Sequence, residues 1–271
     1  MLNKRKYNAS RFNNQAGTHD QRTGIPEASC LEIAQAVVVM TRSGRGEVLL
    51  DLGAGTGLPG SWFPDVGFRY VGLDASQPML DLFAARRVLR ADSVELRLAD
   101  IDDRWPVEDR SVGVVFSSRA AHLFDREHLV SETERVTKST ATFLLGRVVR
   151  EESSMRQRLR DEMRARLKER GFRPTDAGTR HTRILESFQE RGASSLVPVT
   201  AAKWLTRHSA AEVLSAWELT SGLGGCELSR EDKWAILDEL WVWAEKNLNS
   251  INEAFPTEER FVVEGVRLEA P

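Results

Sequence analysis

The feature that most constrains the fold is a glycine-rich loop directly after a short apolar run. Residues 48–52 form a compact run typical of a buried β-strand, and Asp51-Leu-Gly-Ala-Gly-Thr-Gly57 carries glycines in a G-x-G-x-G spacing. Glycine lets the backbone turn tightly and approach a ligand closely. Open parallel sheets bind ligands at the carboxyl ends of their strands. The loop therefore predicts a strand-to-helix turn that holds a small ligand.

Short apolar runs and helical patterns alternate along the first half of the chain. The runs expected to form strands are 48–52, 70–74, 94–98, 112–117 and 142–146. The helical patterns around them cover 28–40, 79–89 and 126–137. This alternation is typical of βαβ units. It predicts an α/β, Rossmann-like, doubly wound fold with a mostly parallel, seven-stranded sheet, helices on both faces and a helical cap insertion.

The second half of the chain has mainly helical patterns. Residues 154–170 form a charged segment with an apolar stripe at Met155, Leu159, Met163 and Leu167. Another helix is expected at 179–190, and two more should begin after the N-caps Ser209 and Ser229. The last helix should have one apolar side, made of Trp234, Leu237, Leu240, Trp241, Ala244 and Leu248. Strands are expected at 195–205, where Pro198 favours an edge position, and at 261–268.

Two carboxylates follow the next two expected strands. Asp74 closes the second run, where a carboxylate can accept hydrogen bonds from both hydroxyls of a ribose. Asp100 closes the third run and either meets an adenine amino group or caps the following turn. Because residue 58 is Leu, the loop lacks the G-x-G-x-x-G spacing of dinucleotide-binding proteins, which disfavours a nicotinamide oxidoreductase. A nucleoside with an amino-acid tail needs no such phosphate cradle.

Several segments in order resemble the motifs of class I methyltransferases that use S-adenosylmethionine (SAM), of the small-molecule type. The segments are 51–57, Asp74-Ala-Ser-Gln-Pro-Met79-Leu, Ala99-Asp100, 105–112 and Phe116-Ser-Ser-Arg-Ala-Ala-His122-Leu. The segment from Tyr7 to Phe12 is similar to the aromatic N-terminal lid of many such enzymes. Together these segments cover roughly residues 5–150. The resemblance implies an N-terminal lid segment at 1–27, a SAM-binding core at 28–150, and a C-terminal part at 151–271 that completes the sheet and carries a helical substrate cap.

The resemblance also implies a set of site residues. The SAM-binding residues would be Asp51, Gly53, Ala54, Gly55, Gly57, Asp74, Ala75, Met79, Asp100, Ile101, Ser117, Tyr7 and Phe12. The glycines would line the methionine part, with Asp51 supporting the loop or binding the amino group of the ligand. Asp74 would bind the ribose, Met79 would pack on adenine, and Asp100 and Ile101 would border the base. Ser117, Arg119 and His122 would face the methyl group, with Arg119 and His122 as candidate catalytic residues.

Structural roles are alternatives for several of these residues. The glycines also suit an ordinary strand-to-helix turn, Asp74 a helix N-cap and Met79 a core position. His122 suits a packing histidine at a helix start, and Arg119 an ion pair. Two departures from the family pattern stand out. Gly113 occupies a position that is often acidic, so a buried hydrogen bond is expected to be missing, and Pro64 predicts a shortened helix after the loop.

Methyl transfer from a sulfonium is an in-line displacement in which the enzyme mainly aligns the reactants and excludes water. A nucleophile–base pair in the motifs is therefore not required. The Asn-Pro-Pro-aromatic motif of amino-methylating enzymes is absent after the fourth run, which favours a small-molecule acceptor. The methylated atom (oxygen, nitrogen, carbon or sulfur), the acceptor molecule and the oligomeric state are not specified by the sequence.

The charge balance favours no polyanionic partner. The formal net charge is −2, so nucleic acid is not the expected partner. The arginines between 147 and 183 are interleaved with acids, as on a solvated helix face. An RNA or protein methyltransferase that uses this arginine-rich helix is one alternative, and a non-catalytic SAM-binding module is another.

The remaining composition predicts no metal and no membrane partner. The two cysteines, Cys30 and Cys226, have no metal-binding spacing and are expected to be reduced. No leader peptide is visible, and no apolar stretch is long enough to span a bilayer. These features predict a cytoplasmic protein.

Overall fold

Five parallel strands form one side of a mixed sheet. The computed structural model describes residues 24–43, 45–86, 93–174, 177–220 and 222–269. The five strands are β1 (Val48–Leu52), β2 (Arg69–Asp74), β3 (Val94–Leu98), β4 (Val112–Ser118) and β5 (Thr137–Arg150). They lie in the order β3-β2-β1-β4-β5, and each neighbouring pair is parallel. The chain thus fills the sheet outward from β1, first to one side and then to the other.

Three later strands complete the sheet: β6 (Ser194–Ser195), β7 (Val199–His208) and β10 (Phe255–Arg267). The Leu268 amide donates to the Ala141 carbonyl at 2.8 Å, and a Cβ at Gly265 would lie 2.1 Å from the Phe143 oxygen. Since the numbering rises on one strand as it falls on the other, β10 runs antiparallel to β5. β10 also pairs with β6 and β7.

The α/β, Rossmann-like fold class is confirmed, but the sheet has eight strands where seven were expected. The extra strand arises because the expected strand 195–205 is divided into β6 and β7, with Pro198 between them. Proline lacks the N–H that a strand interior needs, so pairing is interrupted there.

Seven α-helices are present among the described residues: α1 (Cys30–Thr41), α2 (Gln77–Arg86), α3 (Arg126–Val136), α4 (Met155–Glu169), α5 (Ala177–Gln189), α6 (Ala210–Glu218) and α7 (Arg230–Asn247). Short 3-10 helices cover Glu27–Ser29, Gly60–Val66 and Ala121–Leu123. The second of these contains Pro64 and replaces a longer helix, as expected. A small hairpin of β8 (Gly222–Leu223) and β9 (Cys226–Glu227) was not predicted.

The described residues divide into two compact units. The first, here called the sheet unit, takes its residues from Met1–Val148, Gly178–Lys203 and Arg260–Pro271. The second, here called the helical unit, takes its residues from Val149–Ala177 and Trp204–Glu259. The core of the sheet unit includes Leu50, Leu52, Val115, Phe143 and Leu145, all fully buried.

The helical unit has its own apolar core. The expected stripe on α4 is buried there and packs with α6 and α7, in a cluster of Met155, Leu159, Met163, Leu167, Ala210, Val213, Leu214, Leu223, Ile236, Leu237, Leu240 and Ala244. The prediction that Trp234 belongs to the buried apolar side of α7 was wrong, since this residue is 39% exposed. The neighbouring Lys233 is buried instead, because its ammonium donates to the carbonyls of Glu218 and Thr220, each at 2.6 Å.

Candidate functional site

The glycine loop, Asp74 and the segment after β4 follow strands that end at the same edge of the sheet. β1 lies between β2 and β4, and the connections from β1 and from β3 leave in opposite directions. Ligands of open α/β sheets bind in the crevice that such a reversal creates at the carboxyl ends of the strands. This edge is therefore the candidate site.

Asp74 fixes the glycine loop with its side chain. One carboxylate oxygen, Oδ2, accepts a hydrogen bond from the Gly55 amide at 2.8 Å. The other, Oδ1, accepts from the Ser76 amide at 2.9 Å. Burial raises the pKa of Asp74 above its ordinary value, and these backbone hydrogen bonds oppose the rise. The carboxylate is half-buried, so it also presents a surface to a ligand.

Two positions in the loop require glycine. Gly53 has a φ of +75°, and a Cβ there would lie 2.4 Å from the Ala120 Cβ. Gly57 has a φ of +92°, and a Cβ there would lie 2.7 Å from the Phe83 ring. Side chains at these positions would be strained and would collide with their neighbours. The contact with Ala120 also places the segment after β4 directly against the loop.

Asp51 lies in β1, directly before the glycine loop. Its Oδ2 accepts a hydrogen bond from the Tyr70 hydroxyl at 2.7 Å. Its Oδ1 is buried and has no hydrogen-bond partner among the described residues. Burial raises the pKa of Asp51 to about 7, and the nearby carboxylate of Asp74 adds to the rise. A ligand with a cationic group above this loop would offset the unfavourable burial of the charged form.

The segment after β4 differs in part from the expectation. Ser117 was expected to face the methyl group, but its side chain is fully buried and its hydroxyl donates to the Leu52 carbonyl at 2.8 Å. The hydroxyl thus joins β4 to β1. Arg119 has a φ of +63°, and its amide donates to the Gly146 carbonyl at 3.1 Å. Ala121 to Leu123 then form a 3-10 turn that contains His122.

A second histidine lies beside His122. The rings of His122 and His181 have centroids 6.1 Å apart. His181 is 3% exposed, and neither of its ring nitrogens has a partner among the described residues. Nδ1 of His122 is also buried without such a partner. Burial lowers the pKa of His122 to about 4, with further lowering by His181, Arg180 and Arg119.

His181 was not predicted as a site residue, although the pattern of α5 contains a signal for it. His181 shares the buried face of this helix with Ile184 and Phe188, three and seven residues further on. Burial lowers its pKa, and Arg147 contributes to the fall. Both imidazoles are therefore neutral near pH 7. Neutral imidazoles can accept a proton from a bound molecule.

The side chain of Glu47 occupies the space beside Gly113. A Cβ at Gly113 would lie 2.3 Å from the Glu47 carboxyl carbon, so the side chain of Glu47 fills that space. Oε1 of Glu47 accepts from the Val48 amide at 3.0 Å and from the Lys138 ammonium at 2.6 Å. The first of these contacts is local and the second is solvent-exposed, so the expected loss of a buried hydrogen bond at Gly113 stays a prediction.

The expected contacts with the base remain predictions. Met79 and Ile101 are 2% and 3% exposed, so both lie in the core of the sheet unit. Oδ1 of Asp100 accepts a hydrogen bond from the Asp102 amide at 3.0 Å, so this side chain caps the turn after β3. Ala54 is buried, whereas Ala75 is exposed beside Asp74. Tyr7 and Phe12, the expected lid residues, lie outside the described residues.

The residues that the structure describes hold no cluster of three or more His, Cys, Asp and Glu side chains suited to a metal ion. None of the described helices has both the length and the apolar character that crossing a bilayer requires.

Comparisons with known proteins agree with this geometry. Residues 50–145 match a family described as a methyltransferase domain. This range begins in β1 and ends within β5, and so includes the glycine loop, Asp74 and the segment after β4. The match shows that this part of the chain is similar to a methyltransferase domain.

Two curated relatives cover part of the chain. Malonyl-[acyl-carrier protein] O-methyltransferase of Serratia marcescens is 28% identical over 139 residues, which is 51% of this chain and 51% of that protein. A Dictyostelium discoideum protein described as an 18S rRNA (guanine-N(7))-methyltransferase is 32% identical over 89 residues, 33% of this chain and 30% of that protein. The chain thus spans about half or less of the length of these relatives.

Solved structures show the same fold over most of the chain. A Bacillus halodurans protein described as a methyltransferase has a TM-score of 0.56 at 16% identity, over 88% of this chain and 99% of that chain. An Anaeromyxobacter dehalogenans protein described as a type II methyltransferase has a TM-score of 0.58 at 16% identity, over 91% and 97%. At these identities the likeness concerns the fold alone.

Proposed function

We propose that this chain transfers the methyl group of SAM to a small-molecule acceptor. The observation that carries the proposal is the position of Asp74, whose carboxylate holds Gly55 of the loop and remains half-buried at the end of β2. A carboxylate in this place suits the two hydroxyls of a ribose. The cofactor supplies an electrophilic methyl group, so the protein has mainly to align the reactants and exclude water.

The remaining SAM contacts are proposed from the same edge of the sheet. The backbone of Gly53, Ala54 and Gly57 would line the methionine part, above the buried carboxylate of Asp51. Ala75, Met79, Asp100 and Ile101 would border the adenosine, and Tyr7 and Phe12 would close the site as part of a lid segment at 1–27. In this proposal, residues 28–150 form the SAM-binding core, and the C-terminal part at 151–271 completes the sheet and provides the substrate cap.

We place the acceptor beside His122 and His181. The neutral ring of His122 can take a proton from an acceptor hydroxyl, and the nearby guanidinium groups of Arg119 and Arg180 favour a nucleophile that is already negatively charged, such as a carboxylate. The Arg180 guanidinium is anchored there, because its Nη1 donates to the His122 carbonyl at 2.7 Å. We therefore favour an acceptor that reacts through a weakly acidic oxygen. The name of the Serratia marcescens relative, an O-methyltransferase, agrees with this choice.

RNA is the second candidate acceptor, because one relative is described as an rRNA methyltransferase. The contacts of α4 favour the small molecule. Arg166 pairs with Glu162 at 2.6 Å, and Arg170 pairs with Glu239. Arg156 and Arg160, which an RNA-binding face of α4 would use, are half-buried. The helix therefore offers fewer free guanidinium groups to phosphodiesters than its composition suggests.

Transfer of a labelled methyl group tests the proposal. The protein is incubated with methyl-labelled SAM and, separately, with a panel of small carboxylic acids and phenols and with structured RNA. We expect label on a small acid and none on RNA. Label on RNA alone would contradict the small-molecule proposal. Tight binding of S-adenosylhomocysteine (SAH) with no transfer to any acceptor would instead support a non-catalytic SAM-binding module.

Two histidine substitutions test whether His122 takes part in the reaction with the acceptor. His122→Gln should lower kcat about 10²–10⁴-fold, the usual contribution of a general base, without changing the affinity for SAH. The matched control is His128→Gln, which changes a half-buried histidine on α3 whose ring contacts the Asp103 carbonyl, and it should leave kcat unchanged. Equal kcat values for both variants and the unmodified protein would remove His122 from the reaction.

A further inference from the structure

Two neighbouring histidines of the sheet unit have buried ring nitrogens without hydrogen-bond partners among the described residues. His181 is 3% exposed, and both its Nδ1 and its Nε2 are of this kind. Nδ1 of His122 is buried in the same way. A neutral imidazole has one donor and one acceptor nitrogen, and each is unfavourable when it is buried without a partner. A small group that forms a hydrogen bond with each ring would offset this cost.

The turn that carries His122 lies against the glycine loop. This residue is in the 3-10 turn Ala121–Leu123, and the residues on both sides of the turn approach the loop. A Cβ at Gly53 would lie 2.4 Å from the Ala120 Cβ and 3.4 Å from the Phe124 ring. His122 is therefore next to the part of the loop that is proposed to line the methionine part of SAM.

α5 brings His181 to the same turn. Nη1 of Arg180 donates to the His122 carbonyl at 2.7 Å, and the centroids of the two histidine rings are 6.1 Å apart. Further along the helix, Ile184 and Phe188 belong to the core of the sheet unit. Packing of the helix therefore holds the His181 ring in place.

The distance between the two rings fits one bridging oxygen atom. An oxygen with hydrogen bonds of about 2.8 Å to one nitrogen of each ring would lie about 4 Å from each ring centroid. Because the centroids are 6.1 Å apart, the angle between the two hydrogen bonds at that oxygen would be about 100°. This angle is close to the tetrahedral arrangement of the proton and lone pairs on a hydroxyl oxygen.

The charge around the rings favours an oxygen over an amine. The guanidinium groups of Arg180 and Arg119 disfavour positive charge at the His122 ring. At the second ring, the charge of Arg147 is balanced by its partner Glu264, at 2.9 Å. An ammonium group would therefore be repelled, whereas an uncharged hydroxyl would not. The sulfur of a thiol is only a weak hydrogen-bond acceptor.

We propose that His181 binds the reacting oxygen of the methyl acceptor, and that this oxygen belongs to a phenol or alcohol held between the two rings. His181 donates its N–H to the oxygen, and His122 accepts the hydroxyl proton. The oxygen forms its bond to the methyl carbon as the bond from that carbon to sulfur breaks, and the sulfur leaves as an uncharged thioether. The proton becomes strongly acidic as the new bond forms, and it moves to His122. This role of His181 rests on the proposed methyl transfer.

The bridge predicts an order of affinity among simple probes. A phenol uses both the donor and the acceptor nitrogen of the two rings. Benzoate carries no proton for the acceptor nitrogen, and benzylamine is a cation at pH 7. Phenol should therefore bind at least about tenfold more tightly than either of the other two.

Titration of the full chain saturated with SAH tests the proposal, with phenol, benzoate and benzylamine as probes and isotope-labelled histidine for NMR. Phenol should shift the ring-nitrogen resonances of both His122 and His181. Unchanged resonances, or binding of benzoate or benzylamine as tight as that of phenol, would overturn the hydroxyl bridge. Neither result would contradict methyl transfer to a carboxylate. Failure of SAH itself to bind would contradict the proposed function as well.

Substitutions separate a binding role of His181 from a packing role. His181→Leu should weaken phenol binding about tenfold and leave SAH affinity unchanged. It should not lower stability, because it removes two buried nitrogens that lack partners. His181→Gln keeps an N–H donor and should restore most of the affinity, and the control His128→Leu should not change it.

Equal phenol affinity in His181→Leu and the unmodified protein would show that His181 only packs, and would overturn the proposal. The NMR titration of the unmodified protein decides the question if the leucine variant does not fold.

Discussion

Both compact units bury charged groups, and the shifts of their pKa values differ in direction. In the sheet unit, the carboxylates of Asp51 and Asp74 lie at the ends of β1 and β2, and burial raises the pKa of both. In the helical unit, burial lowers the pKa of Arg156 and Arg160. Each arrangement is unfavourable without a partner of the opposite charge. The sheet unit therefore suits a cationic ligand such as SAM, whereas in the helical unit the carboxylate of Glu259 already lies 3.5 Å from the Arg156 guanidinium group.

The two units also differ in how their charged groups are positioned. Asp51 and Asp74 belong to strands whose backbone pairing fixes them, and the Asp74 carboxylate is further held by two backbone amides. In the helical unit, Arg150 at the end of β5 and Arg156 of α4 meet Glu259, which is about a hundred residues away in sequence. Groups that are positioned by strand pairing and backbone amides can be predicted from local sequence. Groups that are positioned by contacts between distant side chains depend on tertiary packing.

The largest expected effect tests whether each unit has its own core. Leu237 is fully buried in the core of the helical unit. Leu237→Ala should lower the free energy of unfolding by about 2–5 kcal/mol, because it removes buried methyl groups and leaves a cavity. Chemical denaturation measures this loss, with the exposed Val242→Ala as control. SAH affinity below the unfolding transition should not change, and its parallel loss would contradict the separation of the two units.

The next effect concerns the sheet unit alone. Asp74→Asn should weaken SAH binding about 10–100-fold, because a charged acceptor for the ribose hydroxyls is lost. Asp81→Asn changes an exposed carboxylate on α2 and serves as the control. Calorimetric titration of both variants measures the difference. Equal affinities would remove Asp74 from the site.

A pH series separates the supporting carboxylate from the ligand-binding one. The pKa of Asp51 is about 7 in the folded chain, against an ordinary value of 3.8. The protonated form is thus favoured by folding, so the unfavourable contribution of Asp51 grows as pH rises from about 4 to 7. Without SAM, Asp51→Asn should be more stable than the unmodified protein by about 1–3 kcal/mol at pH 8 and by little at pH 4.5. Thermal unfolding at both pH values measures this, and a pH-independent difference would contradict the raised pKa.

The smallest effect concerns a helix start in the helical unit. The Ser209 hydroxyl accepts from the Glu212 amide at 3.2 Å, and the Glu212 carboxylate accepts from the Ser209 amide at 2.9 Å. Ser209→Ala should lower stability by about 1 kcal/mol, because an amide of the first turn loses its acceptor. Ser215→Ala, in the exposed part of α6, is the control. Equal unfolding free energies for both variants would show that this cap contributes nothing.

The fold of the sheet unit could be predicted to a large extent from sequence. The expected runs 48–52 and 94–98 coincide with β1 and β3, because each is a short apolar run bounded by polar or glycine residues. β5 extends well beyond the expected 142–146, because its first residues are mostly polar and its last part, Arg147-Val-Val-Arg150, is bounded by charged residues. The division at Pro198 was anticipated only as a weakening of one strand.

Parts of the candidate site could not be predicted, because they depend on contacts between distant residues. The side chain of Glu47, directly before β1, fills the space beside Gly113 of β4, and Tyr70 binds Asp51 across neighbouring strands. His181 reaches His122 from α5, 59 positions further along the chain. Ser117 was assigned to the methyl side from its place in the motif, yet its hydroxyl is used by Leu52. Motif position identifies the residue, and packing decides what its side chain contacts.

The most direct test of the central claim is calorimetric titration of the full chain with SAH, with NADH as the comparison ligand. The carboxylate of Asp74 and the G-x-G-x-G loop predict micromolar binding of SAH at one site and no binding of NADH. Binding of NADH without binding of SAH would contradict the assignment of this edge of the sheet to SAM.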